Sequence, residues 1–237
     1  MNIILLTEDD FIAEGRAVLS DRRLQHIRSV LTTAPDRTLK LGMLNGKLGR
    51  GKIIQNDPTR IVLDVSFTGQ PPRPSGITLL LALPRPKALR RILQSVTEFG
   101  IKKIILLNSF RVEKSYWQSP LLASGQLREL LLLGLEQAGD TILPEVLLKP
   151  RFKPFVEDEL PELTAGAHGL IAHPAAAAPC PVNLAGPACL AIGPEGGFIP
   201  YEIEKMAAAG FRPVHLGQRI LRVETAVSAL LGRLSQA

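Results

Sequence analysis

Gly193-Pro-Glu-Gly-Gly-Phe-Ile-Pro-Tyr-Glu-Ile203 follows a short apolar run, Cys189-Leu190-Ala191-Ile192, and leads into a helical pattern that starts near Pro200. A strand, a glycine loop and a helix in that order leave bare main chain at the carboxyl end of a buried strand. Gly193, Gly196 and Gly197 remove side chains where a ligand would approach, Pro194 stiffens the loop and Glu195 adds its only charge. That charge disfavours phosphate, and neither Gly-x-Gly-x-x-Gly nor Gly-x-x-x-x-Gly-Lys-Ser/Thr occurs, so a neutral or cationic ligand fits better. A second loop, Leu216-Gly-Gln-Arg-Ile-Leu-Arg-Val-Glu-Thr-Ala226, follows the strand candidate Pro213–Leu216 and turns at Gly217. It exposes Ile220 and Leu221 before Glu224 and Thr225 open the last helix. Apolar loop residues beside carboxylates suit a flat aromatic ring with a positive centre nearby. Either loop alone reads as an ordinary glycine turn; the pair, so close in the chain, reads as one ligand pocket.

Around these loops, strand candidates Thr78–Leu83, Lys103–Leu107, Gly169–Ala172, Cys189–Ile192 and Pro213–Leu216 alternate with helical stretches. This predicts an α/β domain with a mostly parallel sheet covered on both faces. In the first helix Leu89, Ile92, Leu93, Val96 and Phe99 form one apolar stripe, with Arg90, Arg91 and Gln94 off it. Ligands of such sheets bind beyond the carboxyl ends of the strands, where both glycine loops and the His173-Pro174 turn project. Upstream, Gly69-Gln-Pro-Pro-Arg-Pro-Ser-Gly76 interrupts any regular element and reads as a stiff connector. Before it, Leu39–Met43, Lys52–Ile54 and Arg60–Phe67 are short β-like runs separated by Asn45-Gly46, Gly49, Gly51 and Asn56-Asp57-Pro58, a spacing that predicts a small barrel. The expected division is a small domain over 1–70, a linker over 71–76 and a larger domain over 77–237. The Pro174–Pro187 stretch, with four consecutive alanines, reads as a flexible insertion.

The chain of 237 residues carries 28 Lys and Arg against 22 Asp and Glu, a net charge of +6 that suits a polyanionic partner. Basic residues cluster at Arg22, Arg23, His26 and Arg28, and again at Arg85, Lys87, Arg90 and Arg91. Each cluster either tracks RNA or is a solvated face. Aromatic residues make up 5%, with no glycine-aromatic repeat, which argues against arrays of base-stacking platforms; an enzyme that extrudes one base needs fewer. Two cysteines, Cys180 and Cys189, are too few for a disulfide framework or zinc cluster, and they read as free thiols in a reducing cytoplasm. No metal site is expected. No run reaches the ~20 apolar residues of a membrane span, and the N-terminus lacks a signal-peptide pattern, so a soluble, unprocessed protein is expected.

Gly-Pro-Glu-Gly-Gly-Phe, Leu-Gly-x-Arg-Ile-Leu-Arg-x-Glu-Thr-Ala, the upstream pair Glu136-Gln137 and the His-x-x-x-Val-Leu stretch at His26–Leu31 together resemble the SPOUT methyltransferases. Within them the chain is similar to the RsmE-type enzymes, which methylate N3 of a uridine in small-subunit ribosomal RNA. The resemblance implies a small PUA-like β-barrel that binds RNA, followed by a SPOUT domain with a C-terminal trefoil knot. It also implies S-adenosylmethionine as cofactor, ribosomal RNA or the small ribosomal subunit as partner, and a homodimer through the last helix. There Ala226, Leu230, Leu231 and Leu234 bury against their own domain or a second subunit. By the same resemblance, main-chain groups around Gly193–Gly197 and Leu216–Leu221 grip adenine and ribose, Ile171, Ala172, His173 and Pro174 form a third wall, and Glu195 or Glu224 faces the sulfonium. Thr225 caps or lines the last helix.

Methyl transfer from a sulfonium to a uracil nitrogen needs sulfur, methyl and nitrogen aligned at about 3–3.5 Å, and needs the imide proton removed. Arg222 is the catalytic candidate, because a guanidinium beside a uracil carbonyl stabilises the charge that develops; the alternative is a salt bridge to Glu224 or a neighbour. Glu136 is the candidate proton acceptor by resemblance, or else a structural partner on a leucine-rich helix. His173 and His215 stand at strand ends, where a lone histidine is more often a hydrogen-bonding packer. The chain departs from the family pattern at Thr32 and Asp140, where Arg is usual, at Val223, where Thr is usual, and in lacking an N-terminal arginine pair. Three other readings remain: a methyltransferase of another RNA, a cofactor-free RNA-binding protein of the same fold, and a phosphate-using enzyme, against which Glu195 argues.

Overall fold

The computed structural model describes residues 2–30 and 38–235, and these divide into two units. Leu31 and Thr32 lie outside the described residues. The first unit is Met1–Arg73 together with Leu135–Leu143; the second is Pro74–Gly134 with Pro144–Ala237.

In the first unit, β1 (Ile4–Leu6), β2 (Phe11–Ala13), β3 (Arg16–Leu19), α1 (Arg22–Val30), β4 (Thr38–Met43), β5 (Leu48–Asp57) and β6 (Arg60–Gly69) build a six-stranded sheet in the order β1-β4-β5-β6-β3-β2. Only the β1–β4 pair is parallel. Alternation sets its faces: Leu39 and Leu41 of β4 point into the core while Thr38 and Lys40 stay outside. Ile4, Leu6, Leu19, Ile27, Ile53 and Leu63 join them, with Leu24 and Ile27 closing the core from α1.

Gly49 and Gly51, expected as breaks, lie inside the continuous strand β5. A Cβ on Gly49 would come within 2.2 Å of the Ser66 carbonyl oxygen, and one on Gly51 within 2.5 Å of Leu41 Cδ1. The glycines thus permit close approach within a strand that also carries a register shift at Leu48/Gly49.

Leu135–Leu143 is stitched into this unit through its main chain. The Glu136 carbonyl accepts from the Asn2 and Ile3 amides at 2.7 and 3.1 Å, and Asn45 N–H donates to Thr141 O at 2.8 Å. Asp140 is buried and accepts from the Ile142 amide at 3.0 Å, shaping the turn after Gly139.

The second unit holds β7 (Ile77–Ala82), α2 (Pro86–Glu98), β8 (Lys103–Leu107), α3 (Ser124–Ala138, whose last turn joins the first unit), β9 (Glu145–Lys149), the short α4 (Phe152–Pro154) and α5 (Leu160–Leu163), β10 (His168–Ala172), β11 (Ala178–Pro179), β12 (Ala188–Ile192), α6 (Pro200–Ala208), β13 (Arg212–His215) and α7 (Val223–Leu234). Its seven strands are all parallel, in the order β11-β13-β10-β12-β7-β8-β9. Strand β12 is buried at every position and β7 and β8 nearly so, as a sheet covered on both faces requires. The expected stripe of α2 is buried at Leu89, Ile92, Leu93 and Val96, and α7 packs beside it. Leu230, Leu231 and Leu234 of α7 are buried within this unit.

Strands β9 and β11 were not legible in advance. β9 is an edge strand of three apolar residues between charges, and β11 is two residues long. β11 also corrects the reading of Pro174–Pro187 as a flexible insertion. Ala178 and Pro179 pair with β13, Cys180 N–H donates to His215 O at 2.8 Å, and Asn183 and Leu184 N–H donate to Arg233 and Leu234 carbonyls at 2.9 and 3.1 Å. Main-chain bonds and the Arg233 Nε bond to Cys180 O at 2.6 Å fasten the stretch to β13 and to the end of α7.

Candidate functional site

Strands β13, β10 and β12 lie side by side, with Ala172 of β10 level with Ile192 of β12 and Val214 of β13. Their carboxyl ends therefore align, and the three loops that follow converge on one cavity of ≈ 330 Å³. That size is at the lower end of what small organic ligands and cofactors occupy. Ala172, His173 and Pro174 form one wall. Gly193, Pro194, Glu195, Gly196 and Gly197 form the second, and Leu216, Gly217, Ile220 and Leu221 the third.

The first loop is held from several sides. Gly197 closes a turn by donating to Pro194 O at 2.8 Å with φ at +72°, a conformation that favours glycine. Glu195 Oε1 accepts from the Arg85 amide at 3.0 Å, with the Arg85 Nε at 3.9 Å, so its charge is shared with the start of α2. The Arg111 guanidinium donates to Gly196 O. Glu202 is only 2% exposed, and its two oxygens accept from the amides of Phe110 at 2.7 Å and Ile199 at 3.0 Å. This buried carboxylate joins the loop after β8 to the entry of α6.

His173 and His215 each use Nδ1 as an acceptor, from the Ala175 amide at 3.3 Å and the Gly217 amide at 2.9 Å. Both line the cavity, and each bond fixes the loop just beyond its strand. Near the start of β12, Cys189 has its thiol pushed up to about 12 by burial, with the Lys103 charge pulling the other way. Cys180 is likewise buried and raised by desolvation, so neither thiol is poised as a nucleophile.

Four of the sequence-predicted residues stand off the cavity wall. Ile171 is fully buried in β10, behind its neighbour Ala172. Arg222 occupies the N-cap position of α7, is exposed, and makes no ion pair among the described residues, so the alternative of a bridge to Glu224 does not hold. Glu224 and Thr225 lie in the first turn of α7.

Conversely, the cavity includes residues that were not anticipated. Arg111, Phe198 and Arg219 stand at its sides, while Val223, Ala226 and Leu230 supply an apolar wall from α7. The usable signals were the apolar spacing of α7 and the position of Arg111, four residues past the end of β8 and so at the same sheet edge. Val223, one of the departures from the family pattern, is part of that wall.

The other predicted residues are elsewhere. Glu136 is 1% exposed in the first unit and is held by Arg22, Nη1 to Oε2 at 2.9 Å and Nη2 to Oε1 at 3.0 Å. Arg23 joins Asp10 at 2.6 Å and Asp21 at 2.8 Å. For Asp21 burial pushes upward, but hydrogen bonds from Arg23 and the charges of Arg23 and Arg22 outweigh it and hold the carboxyl below its ordinary value. Arg28 donates to Pro58 O at 2.7 Å and to Asp57 O. All three arginines of α1 thus serve contacts inside their own unit. Arg85, Lys87 and Arg91 lie exposed at the start of α2. No group of His, Cys, Asp and Glu among the described residues is arranged to hold a metal ion.

The stretch that builds this all-parallel sheet and its three converging loops, residues 71–235, matches the family model described as an RNA methyltransferase domain. The ribosomal RNA small subunit methyltransferase E of Treponema pallidum is 31% identical over 236 residues, covering 97% of this chain and 88% of its own. A protein of that name from Borreliella burgdorferi is 25% identical, covering 97% and 95%. Among solved structures, the ribosomal RNA small subunit methyltransferase E of Neisseria gonorrhoeae, bound to S-adenosyl methionine, superposes with a TM-score of 0.76 at 23% identity, covering 97% of this chain and 95% of that one. A Legionella pneumophila methyltransferase in complex with the same cofactor gives 0.74 at 24% identity, covering 98% and 96%. The chain belongs to the ribosomal RNA small subunit methyltransferase E family.

Proposed function

We propose that this protein transfers the methyl group of S-adenosylmethionine to N3 of a uridine in small-subunit ribosomal RNA. The observation that carries the reading is the convergence of three loops, one from each of β10, β12 and β13, on a single cavity of suitable size. Its walls offer apolar groups and main chain to a flat ring, with Glu195 as the nearby negative charge for a sulfonium. Relatives named ribosomal RNA small subunit methyltransferase E cover nearly the whole chain and favour the ribosomal RNA methyltransferase part of this reading.

Arg222 is proposed to stabilise charge on the uracil as its imide proton leaves, supported by its free guanidinium next to the third loop. Glu136 is proposed to support the first unit rather than accept that proton, since both its oxygens are engaged by Arg22. The first unit is proposed to be a PUA-like RNA-binding barrel. The second is proposed to be threaded as a trefoil knot, as the family resemblance of its two loop motifs implies. A cytoplasmic homodimer is proposed as well. Ile220, 84% exposed at the cavity, is a candidate for its interface. No helix among the described residues is long and apolar enough to cross a membrane.

Calorimetric titration with S-adenosylmethionine tests the cofactor assignment, with Gly196→Arg as the variant that fills the pocket. Even a Cβ there would meet Arg111 Cδ at 2.9 Å. Binding by the wild type and at least about 100-fold weaker binding by the variant is expected, a loss of ~2.7 kcal/mol or more. A folded wild type that takes up no cofactor overturns the reading. Mapping of methylated uridines in small-subunit RNA from cells with and without the protein then tests the target.

A further inference from the structure

Phe110 is 78% exposed, although it belongs to a loop whose amides are hydrogen-bonded at alternate residues, 108, 110 and 112. Asn108 N–H donates to Lys149 O at 2.9 Å, and its side-chain oxygen accepts from Trp117 Nε1 at 2.9 Å. Phe110 N–H donates to the buried Glu202 at 2.7 Å, and Val112 N–H to Ser109 O at 3.0 Å. The next side chain, Arg111, reaches the cavity and bonds to Gly196 O. A large apolar ring is therefore displayed to solvent by a loop with little freedom to tuck it away. Exposed apolar surface is unfavourable, and a ring carried on an anchored loop next to a cavity-lining residue is placed to meet what the cavity binds.

We infer that the Phe110 ring stacks on a base of the substrate RNA, the one adjoining the nucleotide that enters the cavity. The inference rests on the RNA-substrate reading above. Arg111 lines the cavity and Phe110 does not, which places the ring outside, where the chain leaving an extruded nucleotide must run. Its surroundings suit a nucleic acid: Arg111 is its chain neighbour, and Arg219 at the cavity is exposed with no ion-pair partner among the described residues. Guanidinium groups neutralise the phosphates while the ring takes the base face, the combination by which proteins grip unpaired strands. One ring suffices for one base, so the low aromatic content of the chain is no obstacle.

The test compares Phe110→Ala and Phe110→Trp with the wild type in the full-length protein. Binding to a small-subunit ribosomal RNA fragment is read by fluorescence anisotropy, and binding to S-adenosylmethionine by calorimetry. Phe110→Ala is expected to weaken RNA binding roughly 5- to 150-fold, the range of one lost base–aromatic stack, while cofactor affinity stays within about twofold; Phe110→Trp restores RNA binding. Removing the bases flanking the target uridine, one abasic site at a time, should weaken the wild type at one position and leave Phe110→Ala indifferent there. Equal RNA affinity of wild type and Phe110→Ala overturns the inference, as does a loss of cofactor binding in Phe110→Ala, which would place the ring's role in the pocket. A wild type that binds RNA but no cofactor would refute the methyltransferase reading while leaving the stacking test intact. A wild type that binds neither sinks both.

Discussion

Arg22, Arg23 and Arg28 in the first unit and Arg219 and Arg222 in the second are one residue type in two conditions. The three of α1 hold carboxylates and carbonyls of their own unit, whereas the two of the last loop have no ion pair among the described residues. A guanidinium that is fully engaged stabilises a fold, and an exposed one without a partner, as Arg219 is on the cavity wall and Arg222 just off it, is available to a ligand. A basic cluster in sequence therefore does not identify a nucleic-acid contact until its partners are known. The contrast lies between α1 and the last loop, since Arg111 and Arg233 of the second unit are engaged as well. Those on α1 maintain structure, and those on the last loop remain uncommitted.

Arg222→Ala puts this contrast under the greatest strain. A fall of about 10²–10³ in kcat for methyl transfer, with unfolding stability within ~0.5 kcal/mol of wild type, is expected if the side chain acts only on the reacting base. A variant that loses stability instead would put Arg222 with the arginines of α1. Arg22→Ala is the reciprocal case. It leaves Glu136, 1% exposed, without its cation, and urea denaturation should register a loss of about 3 kcal/mol, the lower range for a broken buried pair because Arg22 is itself half-exposed. Weaker RNA binding with unchanged stability would instead return Arg22 to the RNA surface.

Smaller effects refine the contrast. Arg28 bonds two carbonyls at an exposed site, so Arg28→Ala should cost about 1 kcal/mol in the same denaturation experiment. At the outer face of the first sheet, Lys40 of β4 and Arg50 of β5 stand directly opposite each other. Arg50→Glu converts a like-charge pair into an attractive one and should raise stability by roughly 0.2–1 kcal/mol; a decrease would mean that this face carries a contact the present pairing does not reveal.

The parts of the site that were legible in sequence are those where backbone chemistry is local. Gly193–Gly197 and Leu216–Leu221 stand out because two glycine loops, each between an apolar run and a helix start, fall close together in the chain; all of the first and all but Gln218 of the second line the cavity. Arg111 and Leu230 could not be read in the same way: each reaches the cavity across a sheet order that rearranges the chain order. Gly49 and Gly51 misled because glycine marks a break and a close approach alike. Pro174–Pro187 misled because alanines carry no pattern, and main-chain hydrogen bonds that fasten such a stretch leave no trace in side-chain type.

Residue order alone specified the α/β class, the alternation of strands and helices, the two glycine loops and the resemblance that led to the family. Each depends on residue type at short spacing, which hydrophobic periodicity and glycine conformation convert directly into local structure. Which charges are committed emerged only from the folded chain. Glu136 lies 114 positions from the arginine that holds it, and Phe110 lies 92 positions from the buried carboxylate that displays its ring. An ion pair or a hydrogen bond across such a separation exists only once the chain has folded, so what each charge does was settled by packing rather than by its neighbours in the chain.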